Sequence, residues 1–143
     1  MARTIAALIR HGEYRQQTDT PSAHQPYALT VQGKADVHDE VDSFAGLLDE
    51  HALEVTQRVD SSNMLRAWQT AMIFVEKLYK HQMPSKLIDS YDALAERGLG
   101  AVANMTIQQI EKVIVEDPRY EEPSQNWKSD SHYCLPFQGA ESL

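Results

Sequence analysis

A short apolar run near the N-terminus stops at an arginine, a histidine and a glycine, and this feature constrains the fold most. Residues 5–9 are all apolar, and Arg10, His11 and Gly12 follow them directly. Such a run, ended by a glycine, is typical of a strand buried on both faces of a parallel sheet. Ligands of open α/β sheets bind just beyond the carboxyl ends of the strands. The run therefore predicts a first strand that carries Arg10 and His11 to a binding site.

Arg10 and His11 have the chemistry of a phosphate site. A guanidinium is always charged and offers a planar fork of donors to phosphoryl oxygens. A neutral imidazole has a ring-nitrogen lone pair and acts as a nucleophile. Three residues also match by chance, and alone they fit a solvent-exposed strand end better. The rest of the chain has to decide between these two interpretations.

The spacing of apolar residues predicts alternating strands and helices within a single domain, residues 1–143. The second helix is expected to face the core with an apolar stripe of Leu65, Trp68, Met72, Val75 and Tyr79. The predicted elements are strands at 5–9, 54–60 and 86–88, a helix from the N-cap Thr30 to about 51, and helices at 64–80 and 106–115, the last with a Thr106–Gln109 capping box. This alternation predicts a three-layer α/β/α fold with a mostly parallel sheet.

Two stretches have no periodic pattern. Residues 16–27 are polar, contain two prolines and are expected to form a loop. Residues 117–143 are rich in Pro, Ser and Asp, and a structureless run of that length is uncommon inside a compact domain. Because residues 139–143 resemble the opening of a helix, we expect the domain to be incomplete at its C-terminus.

The bulk composition limits the partners. A net charge of −8 without a basic cluster argues against nucleic acid or an anionic membrane as a partner. The apolar run at residues 5–9 is too short for a secretory signal or a membrane span. A single cysteine, Cys134, excludes an internal disulfide and fits a reducing compartment, so a cytoplasmic location is expected. His132 and Cys134 fall short of zinc-ligand spacing, so neither a metal nor a cofactor is predicted.

Two later segments carry further candidate site residues. Arg66 follows the serines at 61 and 62 and lies in the first turn of a predicted helix, where the helix dipole favours an anion over a cation. An arginine there is better explained by anion binding than by helix stability. Glu96 and Arg97 lie in a glycine-containing loop after the third predicted strand, and a partly buried Glu96 would suit a general acid. A surface ion pair is the competing interpretation of Glu96 and Arg97.

Five short segments occur in the order of a known enzyme family. They are Arg10-His11-Gly12, Leu29-Thr30 with Gly33, Ser61-Ser62 through Arg66 to Gln69-Thr70-Ala71, Leu94 through Gly100, and Gly139 through Ser142. Together they resemble the histidine phosphatase superfamily, in its phosphoglycerate mutase-like branch, over essentially the whole chain.

The resemblance implies a phosphoryl-transfer enzyme with specific residue roles. His11 would accept the phosphoryl group as a phosphohistidine, and Glu96 would protonate the leaving oxygen and then activate water. Arg10 and Arg66 would hold the phosphoryl oxygens. Gly12 and Ser61 would complete the phosphate site.

The chain departs from the family in one respect. Family members have a second histidine, followed by glycine, on a later strand, and this chain stops before that point. We therefore expect a truncated domain without its last strand and helix. Its activity would be strongly reduced, or the chain would be a fragment of a longer protein.

Several alternatives for function stay open. The residues after Glu13 and after Gly100 favour a phosphatase of small phosphomonoesters over a phosphoglycerate mutase-type isomerase. A catalytically impaired module that binds phosphate or phosphopeptides is a third possibility. Arg15 and Arg97 would add substrate contacts, or they are solvated surface arginines. A face left exposed by the missing segment would favour a homo-oligomer.

Overall fold

The computed structural model describes residues 4–21, 24–56, 58–79 and 88–142. These residues form two compact units. The first unit contains the residues up to Arg15 together with Tyr27–Ala93, and the second contains Gln16–Pro26 and the residues from Leu94 onward. No helix of the described residues is long and apolar enough to cross a membrane.

The first unit is built on a strand–helix–strand arrangement. Its elements are α1 (Val31–Glu50), β1 (Val59–Ser62), α2 (Leu65–Leu78) and β2 (Ile88–Tyr91). The two strands pair in parallel, with Val59 opposite Ile88 and Ser62 opposite Tyr91. Helix α2 packs on both strands, and α1 packs on α2. The predicted α/β fold with a parallel sheet is therefore confirmed.

The start of α1 follows from local chemistry. The Thr30 side chain accepts a hydrogen bond from Gly33 N at 2.8 Å, which satisfies one of the free amides of the first turn. The apolar face of α1 packs against α2 in a core cluster. The buried members of that cluster are Leu29, Val37, Val41, Ile73 and Phe74.

The predicted first strand is wrong. Residues 4–10 form neither helix nor strand, and the side chains of Ile5 and Leu8 are 55% and 97% exposed. A strand buried on both faces needs paired neighbours and covering helices, since its backbone groups must otherwise bond to water. The described sheet consists of β1 and β2 alone, so this segment has no such neighbours.

The other two strands lie later in the chain than predicted. Residues 54–56 are not in a strand, and β1 begins at Val59 and includes both Ser61 and Ser62. Residues 86 and 87 lie outside the described residues, and β2 continues to Tyr91.

The predicted apolar stripe of α2 is also wrong. Leu65 and Trp68 are 41% and 37% exposed, and Val75 alone of the five predicted residues is fully buried. The buried face consists of Arg66, Thr70, Ala71, Ile73, Phe74 and Val75. The helix is rotated toward a face that contains a buried arginine and a buried threonine, which hydrophobic periodicity does not recognise.

The second unit has its own core. Helix α3 (Ile107–Glu116) begins with the predicted capping box between Thr106 and Gln109. Its buried face packs with the polar tail around Trp127, which is 1% exposed and lies in a short 3-10 turn (Trp127–Ser129). The remaining buried core residues are Leu99, Val102, Ile110, Ile114 and Leu135. The tail is irregular, as predicted, but it is folded against α3.

Candidate active site

The His11 ring is bonded through both of its nitrogens. Its Nδ1 lies 2.8 Å from the Gly12 carbonyl oxygen, and its Nε2 lies 3.0 Å from Arg66 Nε. A carbonyl oxygen only accepts a hydrogen bond and a guanidinium only donates one. The proton must therefore be on Nδ1, and the lone pair of a neutral imidazole must be on Nε2. This is the form of histidine that attacks an electrophile.

Arg66 reaches His11 from the second residue of α2. Its side chain is buried, with 2% of the residue exposed, and its Cζ lies 4.3 Å from the centroid of the Tyr14 ring. A buried charge is costly unless it is paired, hydrogen-bonded or placed over an aromatic face. The contacts to His11 and Tyr14 therefore compensate part of the cost of burying the Arg66 charge.

Thr70 links the helix to the histidine segment. Its Oγ1 accepts a hydrogen bond from Gly12 N at 3.2 Å and donates one to the Arg66 carbonyl at 2.9 Å. The residue is 4% exposed. One hydroxyl thus fixes the backbone beside His11 relative to the turn of α2 that carries Arg66.

The backbone at Gly12 passes against the first turn of α1. A Cβ at Gly12 would lie 2.6 Å from Val37 Cγ2 and 2.8 Å from the Gly33 oxygen, and a Cβ at Gly33 would lie 2.2 Å from the Glu13 oxygen. Glu13 is held there because its carbonyl accepts from Thr30 N at 3.0 Å. Only glycine permits this approach, so Gly12 has a steric role beside His11.

Ser61 is buried at the end of β1. Its hydroxyl donates to the Ser62 carbonyl at 2.9 Å, and Ser62 Oγ accepts from Met64 N at 3.4 Å. These bonds shape the turn from β1 into α2, from which Arg66 projects.

The structure brings His11 and Arg66 together, and it leaves the side chains of Arg10 and Arg15 exposed. Arg10 precedes His11 directly in the chain. The phosphate and substrate contacts of both exposed arginines stay predictions.

Glu96 and Arg97 lie in the second unit. Glu96 is exposed rather than partly buried, and its carbonyl oxygen accepts from His24 Nε2 at 2.6 Å. The guanidinium of Arg97 donates to three carbonyl oxygens of the tail, at 2.9 to 3.2 Å, which belong to Lys128, Asp130 and Tyr133. Arg97 therefore holds the tail, and its substrate contact stays a prediction.

The segment after Arg97 is tied to the end of the described chain. Gly98 N donates to Glu141 Oε2 at 2.9 Å, and Glu141 N donates to the Gly98 oxygen at 3.0 Å. Leu99 and Ala140 form an antiparallel bridge beside them. Two of the segments that carry the family resemblance therefore meet in the second unit.

Sequence reasoning missed Tyr14 and Thr70 as site residues. Thr70 lies four residues after Arg66, one helical turn along α2, and that spacing was available in the sequence. Tyr14 gave no such indication, because an aromatic residue in a polar stretch carries no periodicity. Within the described ranges, no three His, Cys, Asp or Glu side chains cluster as metal ligands would.

Comparisons with known proteins concern the family and the fold of the chain. Residues 6–143 match the family model of the histidine phosphatase superfamily (branch 1). A search of curated proteins gives no significant match. Two similar solved structures are of a mycobacterial glucosyl-3-phosphoglycerate phosphatase, one with inorganic phosphate and one native, with TM-scores of 0.60 and 0.61. Both are 19% identical and align with 92% of this chain.

A third similar structure is that of mycobacterial hydrolase 2, with a TM-score of 0.59, 18% identity and 92% of this chain aligned. The chain covers 52%, 53% and 48% of these three structures, about half of their length. At such identities the likeness shows the fold, and the family model shows the family.

Proposed function

Because this chain belongs to the histidine phosphatase superfamily (branch 1), we propose that it is a phosphatase of small phosphomonoesters. The reaction would pass through a phosphohistidine on His11. The observation that carries the proposal is the 3.0 Å contact between Arg66 Nε and His11 Nε2. It joins a nucleophile in its neutral form to a buried cation, which is the pairing that phosphoryl transfer needs.

In the first step, the Nε2 lone pair of His11 forms a bond to phosphorus and the ester P–O bond breaks. The departing oxygen takes a proton, which we assign to Glu96 by the family resemblance. The Nδ1–H bond to the Gly12 carbonyl stabilises the ring as it becomes positively charged. In the second step, water gives a proton to Glu96 and attacks phosphorus, the P–N bond breaks, and inorganic phosphate leaves.

Arg66 has two partners in this scheme. Its Nε–H donates to the Nε2 lone pair, so this hydrogen bond must break before attack. The same donor would then bond to a phosphoryl oxygen, where negative charge develops. Arg10, Gly12 and Ser61 would complete the phosphate site, and Arg15 and Arg97 would contact the rest of the substrate.

The binding partner and the cellular location are proposed from the composition of the chain. A net charge of −8 supports a small phosphorylated substrate over nucleic acid or an anionic membrane as the partner. The single cysteine supports a cytoplasmic location. We also propose that residues 1–143 belong to one domain and that the chain forms a homo-oligomer, which light scattering tests.

The test is hydrolysis of p-nitrophenyl phosphate with trapping of an acid-labile phosphoenzyme. His11→Ala should abolish both, and His38→Ala, which alters an exposed histidine on α1, is the matched control. Retained phosphoenzyme formation in His11→Ala would overturn the assignment of the nucleophile.

The exposed side chain of Glu96 favours a second candidate function, a phosphate-binding module without turnover. An exposed carboxylate is a weaker acid catalyst than a desolvated one. Calorimetry with inorganic phosphate, the anion in one structural neighbour, separates the two functions. Binding that depends on Arg66, with no hydrolysis by the chain, would favour the module.

A further inference from the structure

Tyr14 contacts both members of the His11–Arg66 pair. Its ring centroid lies 4.3 Å from Arg66 Cζ and 5.4 Å from the centroid of the His11 ring. The two aromatic rings meet edge to face, with an angle of 82° between their planes. With the hydrogen bond between Arg66 and His11, these contacts form a closed triangle of three side chains.

The position of Tyr14 is fixed by its backbone. Tyr14 forms an antiparallel bridge with the buried residue Leu29, and Arg15 N donates to the Ala28 carbonyl at 3.3 Å. Leu29 N in turn donates to Gln69 Oε1 at 2.8 Å, so the bridge is tied to α2. The ring is therefore anchored to the same helix that carries Arg66.

We infer that Tyr14 is a positioning residue for phosphoryl transfer, holding the Arg66 guanidinium beside the His11 ring, where it can pass to a phosphoryl oxygen. This inference rests on the proposed function. A guanidinium on a flexible side chain has many orientations, and a cation–π contact restricts it to one face of the ring. The Gly12 carbonyl fixes one end of the imidazole, and the Tyr14 ring limits its rotation about that bond.

The alignment matters most during transfer. When His11 Nε2 attacks, the Arg66 Nε–H has to leave Nε2 and donate to a phosphoryl oxygen. The guanidinium must keep its orientation during this exchange. Effects of misaligned donors appear mainly in the transition state. A variant without the aromatic ring should therefore lose kcat more than it raises KM.

The experiment compares two kinds of substitution at Tyr14. Tyr14→Phe keeps the ring, whereas Tyr14→Leu and Tyr14→Met remove it and keep an apolar side chain. Tyr120→Leu is the matched control, because Arg119 Cζ lies 5.4 Å from the Tyr120 ring in the second unit and that ring is also partly buried. Thermal unfolding measures the stability of each variant.

We expect Tyr14→Leu and Tyr14→Met to lower kcat for p-nitrophenyl phosphate about tenfold, with KM changed less than about twofold. Tyr14→Phe should keep kcat within about twofold, since its ring face also attracts cations. Tyr120→Leu should lower thermal stability and leave kcat per folded molecule unchanged. A purely structural role of Tyr14 would lower stability in the same way and spare kcat.

A second readout does not need turnover. Nitrogen-15 NMR of His11 should show the Nδ1–H tautomer in the unaltered chain and in Tyr14→Phe, with averaged ring-nitrogen signals in Tyr14→Leu. If the chain lacks phosphatase activity, the proposed function fails while the NMR comparison still tests Tyr14. Unchanged kcat and NMR signals in both ring-free variants would overturn the inference. Unfolding of both variants, or an equal kcat loss in Tyr14→Phe, would overturn it as well.

Discussion

The two units use an arginine in different ways. In the first unit, Arg66 is 2% exposed, donates to the ring nitrogen of His11 and lies over an aromatic face. In the second unit, the guanidinium of Arg97 donates to main-chain carbonyl oxygens of the tail. The first arginine contacts an imidazole and a phenol ring, and the second holds backbone in place. Both lie within short motifs of the same family, so motif membership alone does not decide the role of a guanidinium.

The largest expected effect contrasts the same substitution in the two units. Arg66→Lys removes the Nε donor and the planar fork, so kcat for p-nitrophenyl phosphate should fall roughly 100- to 1,000-fold. Arg97→Lys loses donors to the tail and should lower the melting temperature. Its proposed contact with the rest of the substrate would change KM, so kcat should stay within about threefold of the unaltered chain. Steady-state kinetics and thermal unfolding of both variants check this. Similar kinetic losses in the two variants would remove the distinction between the arginines.

A smaller effect is expected from a methyl group beside His11. Gly12→Ala puts a Cβ against Val37 and the Gly33 carbonyl, so it should destabilise the fold by about 1–3 kcal/mol and reduce activity. Gly46→Ala is the control in α1, because a Cβ there would meet no atom of the described residues within 4 Å. It should stabilise the fold by about 0.5–1 kcal/mol. Urea unfolding measures both, and a neutral Gly12→Ala would show that the close approach can relax.

The smallest effect concerns the ion pair between Arg119 and Asp117 in the second unit. Arg119 donates to the Asp117 carboxylate and lowers the pKa of that group to about 2, from 3.8. Because the folded-state pKa is depressed, the pair contributes to stability above about pH 4, and the contribution is lost as the pH falls through about 2.

The variant Asp117→Asn should therefore lose less stability than the unaltered chain between pH 4 and pH 2. The difference should be slight, and 1 M NaCl should weaken it, since the Arg119 side chain is largely exposed. Melting temperatures across this pH range at low and high salt measure it. A large difference that persists in salt would show that Asp117 also serves the fold in another way.

The features that sequence predicted well depend on neighbouring residues. The caps at Thr30 and Thr106 were located from the residues within one turn of each helix, and both make the expected hydrogen bonds. Capping is a contact between a side chain and an amide three residues later, so a single sequence contains it. The pairing of His11 with Arg66 was also anticipated, through motif order rather than through periodicity.

The features that sequence missed depend on distant partners. The apolar residues 5–9 are exposed, whereas the polar tail buries Trp127 against α3. Hydropathy is a property of the segment alone, whereas burial depends on which other segments pack against it. The rotated face of α2 follows from the same cause, since the charge of Arg66 is compensated by Tyr14 and His11 from another part of the chain.

The discontinuous second unit has a consequence for synthesis on the ribosome. Ile107 N donates to the Asp19 oxygen at 2.9 Å, and these residues are nearly ninety positions apart. Residues 16–26 therefore leave the ribosome early, and this hydrogen bond cannot form until residue 107 has been synthesised. Closing the long intervening loop costs entropy before this contact can stabilise the unit, and this cost slows folding. The second unit can consequently complete its fold only after residue 107 has left the ribosome.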